Sequence, residues 1–303
     1  MEDIPLFFTP SPENSLPQLR AKFSSLYHEY QVVLEIEKNK QKTTLQYQAG
    51  VKYQKSSGTN APIISIQKLT KTFINKVEPD TLTEQISELA GSIFQPLWVE
   101  ISPRGEISQL INYQSILSKW EEVKEELLKN YAGSVINSYI QHINNTINTS
   151  DLLLEKLKND WFLSLYTVPI YSTYSTPAEK EKWIFPSLLK GVDKKEYSLT
   201  KRSENPNDTQ NSPLVLIESI DKPEEFSAIY TLDSQTKLIK KIEVVIIEEQ
   251  GYSLKAEIEV LKIHKKEKTE STLPKANKAS FNEEKEWQKY LRKKKGFFGR
   301  LFE

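Results

Sequence analysis

The 303-residue sequence contains no cysteine, and that one absence removes disulfides, thiolate metal sites, iron–sulfur clusters and cysteine nucleophiles together. Methionine occurs only at Met1, so a core has to be assembled from leucine, isoleucine, valine and aromatic side chains. Glycine is scarce, with nine copies, which leaves little material for a phosphate cradle. The sequence contains no G-x-x-x-x-G-K-[ST] loop, G-x-G-x-x-G turn, H-E-x-x-H helix or G-x-S-x-G elbow, each of which carries a recognisable chemistry. Only three histidines exist, His28, His142 and His264, in different segments. A metal site needs three or four converging ligands, so hydrogen-bonded or solvated histidines are expected, with no catalytic residue, no cofactor and no metal.

Charge of one sign is also missing. Lys+Arg and Asp+Glu number 41 each, and the sequence pI is about 6.9, whereas nucleic-acid binding would call for a basic chain or a concentrated basic face. The first 20 residues begin acidic, and their apolar run, Ile4 to Phe8, is short and interrupted by Pro5, unlike a secretory signal. No uncharged run approaches the roughly 20 residues of a membrane-spanning helix. These features lead to the expectation of a cytoplasmic protein, with chance sequons at Asn144, Asn148 and Asn207.

What is present is periodicity. Leu16, Leu19, Phe23, Leu26, Tyr27 and Tyr30 recur at helical steps and predict a helix over Ser15 to Tyr30. Alternation then predicts strands through residues 31–112, interrupted by a helix opened by the capping box Thr81-Leu-Thr-Glu84, and a hairpin turning at Pro103-Arg104-Gly105. Residues 113–163 read as helices, the first with Ile116, Trp120, Val123 and Leu127 on one face. Residues 214–263 read as a four-stranded meander whose apolar residues share one parity along each strand. The expected fold is α+β, a curved antiparallel β-sheet with the helical middle segment packed on one face, plus a tethered C-terminal helix or tail. In domain terms this gives one composite unit over 1–264, a flexible linker over 265–279 and a docking element over 280–303.

Two groups of side chains are candidates for binding. Trp161, Phe162, Tyr166, Tyr171 and Tyr174 form the densest aromatic run and could line a ligand cleft, form an interface or fill the core. The tail places Trp287, Tyr290, Leu291, Arg292, Lys293, Lys294 and Lys295 ahead of Phe297, Phe298, Arg300, Leu301 and Phe302. A basic cluster beside unburied apolar side chains suits a protein groove, or peripheral contact at the inner face of a membrane. The resulting expectation is a non-enzymatic cytoplasmic adaptor or assembly subunit that binds protein partners through its body and tail, with no nucleic-acid partner. The alternative is a carrier for an apolar, lipid-like ligand held in the concave face of the sheet.

Overall fold

The computed structural model describes residues 18–265 apart from 24–25, 56–60, 175–177 and 205–209. The chain divides into two compact units, Met1–Lys265 and Lys266–Glu303. The fold described is that of the first. The tail residues proposed for docking, the docking element and linker residues 266–279 lie outside the described residues, while Lys265, expected to open the linker, ends the last strand.

Among the described residues twelve strands form one antiparallel sheet: β1 (Leu26–Lys38), β2 (Gln41–Lys55), β3 (Pro62–Lys68), β4 (Phe73–Ile74), β5 (Leu97–Ile101), β6 (Ile107–Leu110), β7 (Lys180–Pro186), β8 (Lys194–Glu204), β9 (Leu214–Ser219), β10 (Phe226–Leu232), β11 (Ile239–Glu248) and β12 (Tyr252–Lys265). The order is β6-β5-β3-β2-β1-β12-β11-β10-β9-β8-β7, with β4 paired to β2 off that path. The two β-rich ends of the sequence are joined by the β1–β12 ladder, in which Val32 faces Ile258 and Leu34 faces Ala256. Turn chemistry fixes the registers. Asn39 and Lys40 both take positive φ, 50° and 66°, the conformation that closes a two-residue hairpin between right-twisted strands, and β1 accordingly pairs Lys38 with Gln41.

The structure corrects the helix expected over Ser15 to Tyr30. Residues 26–30 begin β1, and Gln18 instead bridges Thr173. Tyr30, Val32 and Leu34 are all fully or nearly buried. Cross-strand burial between β2 and β12 therefore overrides a local spacing that also fits a helix, since period 2 and period 3.6 coincide over short runs. Within the strands expected through residues 31–112, residues 71–77 contribute only the two-residue β4, Phe73–Ile74.

Among the described residues five α-helices accompany the sheet: α1 (Leu82–Gly91), α2 (Tyr113–Asn130), α3 (Ser134–Thr146), α4 (Ser150–Leu157) and α5 (Trp161–Tyr166). The capping box of α1 is formed in both directions between Thr81 and Glu84. Ile116, Trp120, Val123 and Leu127 of α2 are buried while Leu128 is exposed, as expected for one stripe of an amphipathic helix. Gly133, at φ 115°, separates α2 from α3. The six-residue α5 touches both halves of the sheet. Its Leu165 carbonyl accepts the Tyr230 hydroxyl of β10 at 2.9 Å, and its Tyr166 hydroxyl bonds those of Tyr30 and Tyr53 on β1 and β2. Among the described residues no helix is long and apolar enough to cross a membrane.

Candidate functional site

The sheet has two faces of different character, and each offers a site. Under α5 the inward residues of β1 and β2 meet the aromatic run. Tyr30 is completely buried, and Tyr53, Tyr166, Tyr171 and Phe162 are nearly so. Their hydroxyls form a chain. Tyr30 donates to the Ile239 carbonyl at 2.7 Å, which commits its one proton. Its oxygen is thus left to accept from Tyr166 at 2.9 Å and from His28 Nδ1 at 2.9 Å, and Tyr53 in turn donates to Tyr166. Donor accounting assigns the Nδ1–H tautomer to His28. Burial pushes the phenols of Tyr30, Tyr53 and Tyr166 well above their ordinary range and lowers the His28 imidazole to about 4, so the whole chain is neutral near pH 7. Beside it lies a cavity of about 10 Å³ bordered by Phe23, Tyr53, Ile64, Tyr166 and Tyr171, room for about one water molecule.

The interior is closed at one corner where the ends of the sheet meet. Arg104, in the β5–β6 turn, pairs with Glu181 of β7 at 3.0 Å, and buried Lys201 of β8 reaches the same carboxylate at 2.5 Å. Lys201 also donates to the Pro169 carbonyl at 3.1 Å, and Trp183 Nε1 donates to Glu181 at 3.0 Å. Burial opposes ionisation of Glu181, but the hydrogen bonds from Lys201 and Trp183 outweigh it and hold the carboxyl below its usual range. The segment after α5 seals this corner through Tyr171 N–H to the Arg104 carbonyl at 3.1 Å. Gly105 is required there. Its φ is +105°, and a Cβ would stand 2.8 Å from the Val168 carbonyl oxygen.

Among the described residues the opposite face carries no helix contact of this kind, and it holds a groove of about 550 Å³ across β1, β12, β11, β10 and β9. Its floor is apolar, from Val33, Leu216, Ile229 and Val245, and its sides are charged, with Glu35, Glu218, Glu243, Glu257 and Lys255. Glu243 and Glu257 stand directly opposite one another in the β11–β12 ladder, and Lys241 bridges both at 3.0 Å. Sequence alternation marks these residues as the outward set of each strand. What it does not reveal is that five outward sets share one depression, because that depends on strand order and sheet curvature.

Of the aromatic candidates, Phe162, Tyr166, Tyr171 and Tyr174 are buried and Trp161 is half-buried. Tyr166 and Tyr171 border the cavity, whereas the Tyr174 hydroxyl is occupied by the Ile170 carbonyl. The histidines are less scattered than their positions in the sequence imply. His28 and His264 lie one register step apart on β1 and β12, His28 turned inward and His264 outward, where it meets Glu29 at 2.9 Å. Among the described residues no group of three or more His, Asp or Glu side chains is placed to hold a metal ion.

No family model matches the sequence, and no curated protein is similar to it. Among solved structures, MucB matches at a TM-score of 0.26 and 9% identity, over 84% of this chain and 59% of that one. The Pseudomonas aeruginosa MucA/MucB complex matches at 0.24 and 10%, over 83% and 56%. The chain thus spans less than two thirds of either MucB structure. A Vibrio parahaemolyticus domain assigned to outer membrane lipoprotein sorting matches at 0.21 and 8%, over 86% and 89%. Likeness of this degree carries no argument about what the chain does, although MucB itself is a protein with a protein partner. The cytoplasmic location expected from sequence is withdrawn: the solved structures that match are of MucB and of an outer membrane lipoprotein-sorting domain. That expectation rests on the acidic, Pro5-interrupted first 20 residues, of which 1–17 lie outside the described ones, and on the lack of a long uncharged run. The chance reading of the sequons loses its premise with it. Asn144 has a structural partner, accepting from Trp120 Nε1 at 2.7 Å.

Proposed function

We propose that this chain is a non-enzymatic adaptor or assembly subunit that receives a protein partner on the open face of its sheet. The observation that carries this reading is the contrast in free space: about 550 Å³ in the open-face groove against about 10 Å³ in the interior. Sites for drug-sized ligands occupy roughly 300–1,000 Å³, a volume the groove reaches and the cavity beside the tyrosines does not. Its polar atoms are carboxylates and an ammonium on neighbouring strands, a set suited to holding a charged surface. The basic, aromatic tail, by sequence, is a second contact, and tethering it to the first would raise its local concentration.

A second reading, a carrier for an apolar ligand, is favoured by the tyrosine hydroxyls that border the interior cavity, since a few polar groups in an apolar pocket are what orient such a ligand. It requires the interior to open. Photo-cross-linking separates the two, with a photoreactive phenylalanine placed at Ser227 in the groove or at Phe23 beside the cavity, in the cells that make the protein. Discrete protein adducts from Ser227 are expected. Adducts of lipid size from Phe23, with none from Ser227, would replace the adaptor by the carrier.

A further inference from the structure

The groove belongs to a face with a marked charge imbalance. Across the five strands that line it, the outward ladder positions hold seven glutamates, Glu29, Glu35, Glu37, Glu218, Glu243, Glu257 and Glu259, against three lysines, Lys241, Lys255 and Lys262, with Lys240 at the β11 bulge and Lys42 of β2 paired to Glu35. Two of those glutamates oppose each other across one ladder step and share Lys241. Like charges directly opposite on neighbouring strands destabilise a sheet, so this spacing does nothing for the fold that one glutamate would not do. Glu218, beside the apolar floor, makes no ion pair among the described residues. Such a face repels nucleic acid and anionic lipid and attracts cationic surfaces.

The backbone narrows the occupant further. Each of the five strands already has a neighbour on both sides, so the groove offers no free ladder on which an extended peptide could add. Recognition there is through side chains, and the incoming element must satisfy its own backbone hydrogen bonds, which a helix does. Five strands at their usual spacing span about 19 Å, the length of about a dozen helical residues.

We infer that the open-face groove receives a basic amphipathic helix of a partner protein, its apolar side chains on Val33, Leu216, Ile229 and Val245 and its lysines or arginines toward Glu218, Glu243 and Glu257. This rests on the adaptor reading and adds the chemistry of the partner. A second copy of the chain is a poor occupant, because two such faces would repel each other.

The test uses the full chain and two labelled twelve-residue probes, LKKLLKKLLKKL and LEELLEELLEEL, followed by fluorescence anisotropy. The lysine probe is expected to bind at about 0.05 M salt and to weaken about tenfold or more at about 0.3 M, as surface charge attraction is screened, while the glutamate probe does not bind. Replacing Glu243 and Glu257 by Gln should weaken the lysine probe about tenfold, whereas Glu125→Gln with Glu126→Gln on α2, a charge-matched pair elsewhere, leaves it unchanged. Ile229→Lys provides a second groove variant with the same expected loss. Equal loss from the α2 pair would reduce the effect to general charge attraction and overturn the inference, as would equal binding of the two probes. A concentration-dependent dimer abolished by the Glu243/Glu257 pair of substitutions would overturn it in favour of self-association. Should Ser227 cross-link a protein in cells while the lysine probe fails, the adaptor reading stands and this inference alone falls.

Discussion

Along β11, Ile242, Val244 and Ile246 turn toward the helices while Glu243, Val245 and Ile247 turn away, and the two sets live under different rules. On the covered face, polar atoms are tolerated where they are matched. Glu248 is buried yet accepts from Ser187 Oγ at 2.9 Å, from Leu188 N–H at 3.1 Å and from the Tyr197 hydroxyl at 3.1 Å, and the Tyr30–Tyr166–Tyr53 chain ends on a carbonyl. On the open face, charges are numerous, half-paired and in places set against each other. The covered face is arranged for stability, and the open face spends some stability on charges it does not need for folding, a pattern expected where a surface meets something else.

The largest test of this contrast uses one strand. Phe226 on β10 is wholly buried and stacks on Phe185 at 4.9 Å and against Tyr197 at 5.3 Å, whereas Ile229, three residues on, is 38% exposed. Phe226→Ala is expected to cost about 3–5 kcal/mol in urea unfolding, and Ile229→Ala less than about 1 kcal/mol. Comparable losses would mean that the open face is covered in the full chain. A smaller effect is expected from Tyr230→Phe, which leaves the Leu165 carbonyl without its hydroxyl donor and should cost about 1–3 kcal/mol with little change in fold.

Much of this architecture is visible in the residues themselves. Alternation with turn signals locates β9 to β12 and the Gly105 hairpin, and the Thr81/Glu84 pair locates the start of α1. The error at Ser15 to Tyr30 has a physical cause: Leu26 and Tyr30 fit either period, and their assignment to β1 comes from β12, more than two hundred residues away in sequence. The same distance hides both sites. Nothing local says that Tyr30, Tyr53 and Tyr166 share hydroxyls, or that Leu216 and Val33 floor one groove, because each assembly is made by the closing of one sheet from both ends of the chain. The aromatic run is legible as a cluster, but whether it lines a cleft or fills a core depends on volume, which a sequence does not carry.

The covered face also has a pH signature. Burial lowers the His28 imidazole from 6.5 to about 4, against opposing contributions from Asp233 and the Ile239 carbonyl. Between those values the unfolded chain takes up a proton that the folded chain refuses, so this residue's contribution to stability is intact above about pH 6.5 and falls as the pH drops toward about 4. His28→Phe should therefore reduce the difference between urea midpoints at about pH 7 and about pH 4.5. An unchanged difference would show that His28 is not held neutral by its surroundings.

The smallest expected effect is on the open face, and its sign is informative. Glu243→Gln removes one of the two carboxylates bridged by Lys241 but also removes the repulsion between Glu243 and Glu257, which oppose each other on the ladder. An exposed ion pair contributes about 0–1 kcal/mol, and a cross-strand like-charge contact costs a comparable amount, so the net change should stay within about 0.5 kcal/mol. Lys241 keeps Glu257 as a partner, whereas Glu257 loses its repulsive neighbour, so the balance tips toward slight stabilisation at low salt. Added salt screens the repulsion in the parent protein, and the difference between the two should vanish as ionic strength rises. A salt-independent loss of more than about 1 kcal/mol would mean that Glu243 supports the fold directly, and the distinction drawn between a face built for stability and one built for contact would fail at its central residue.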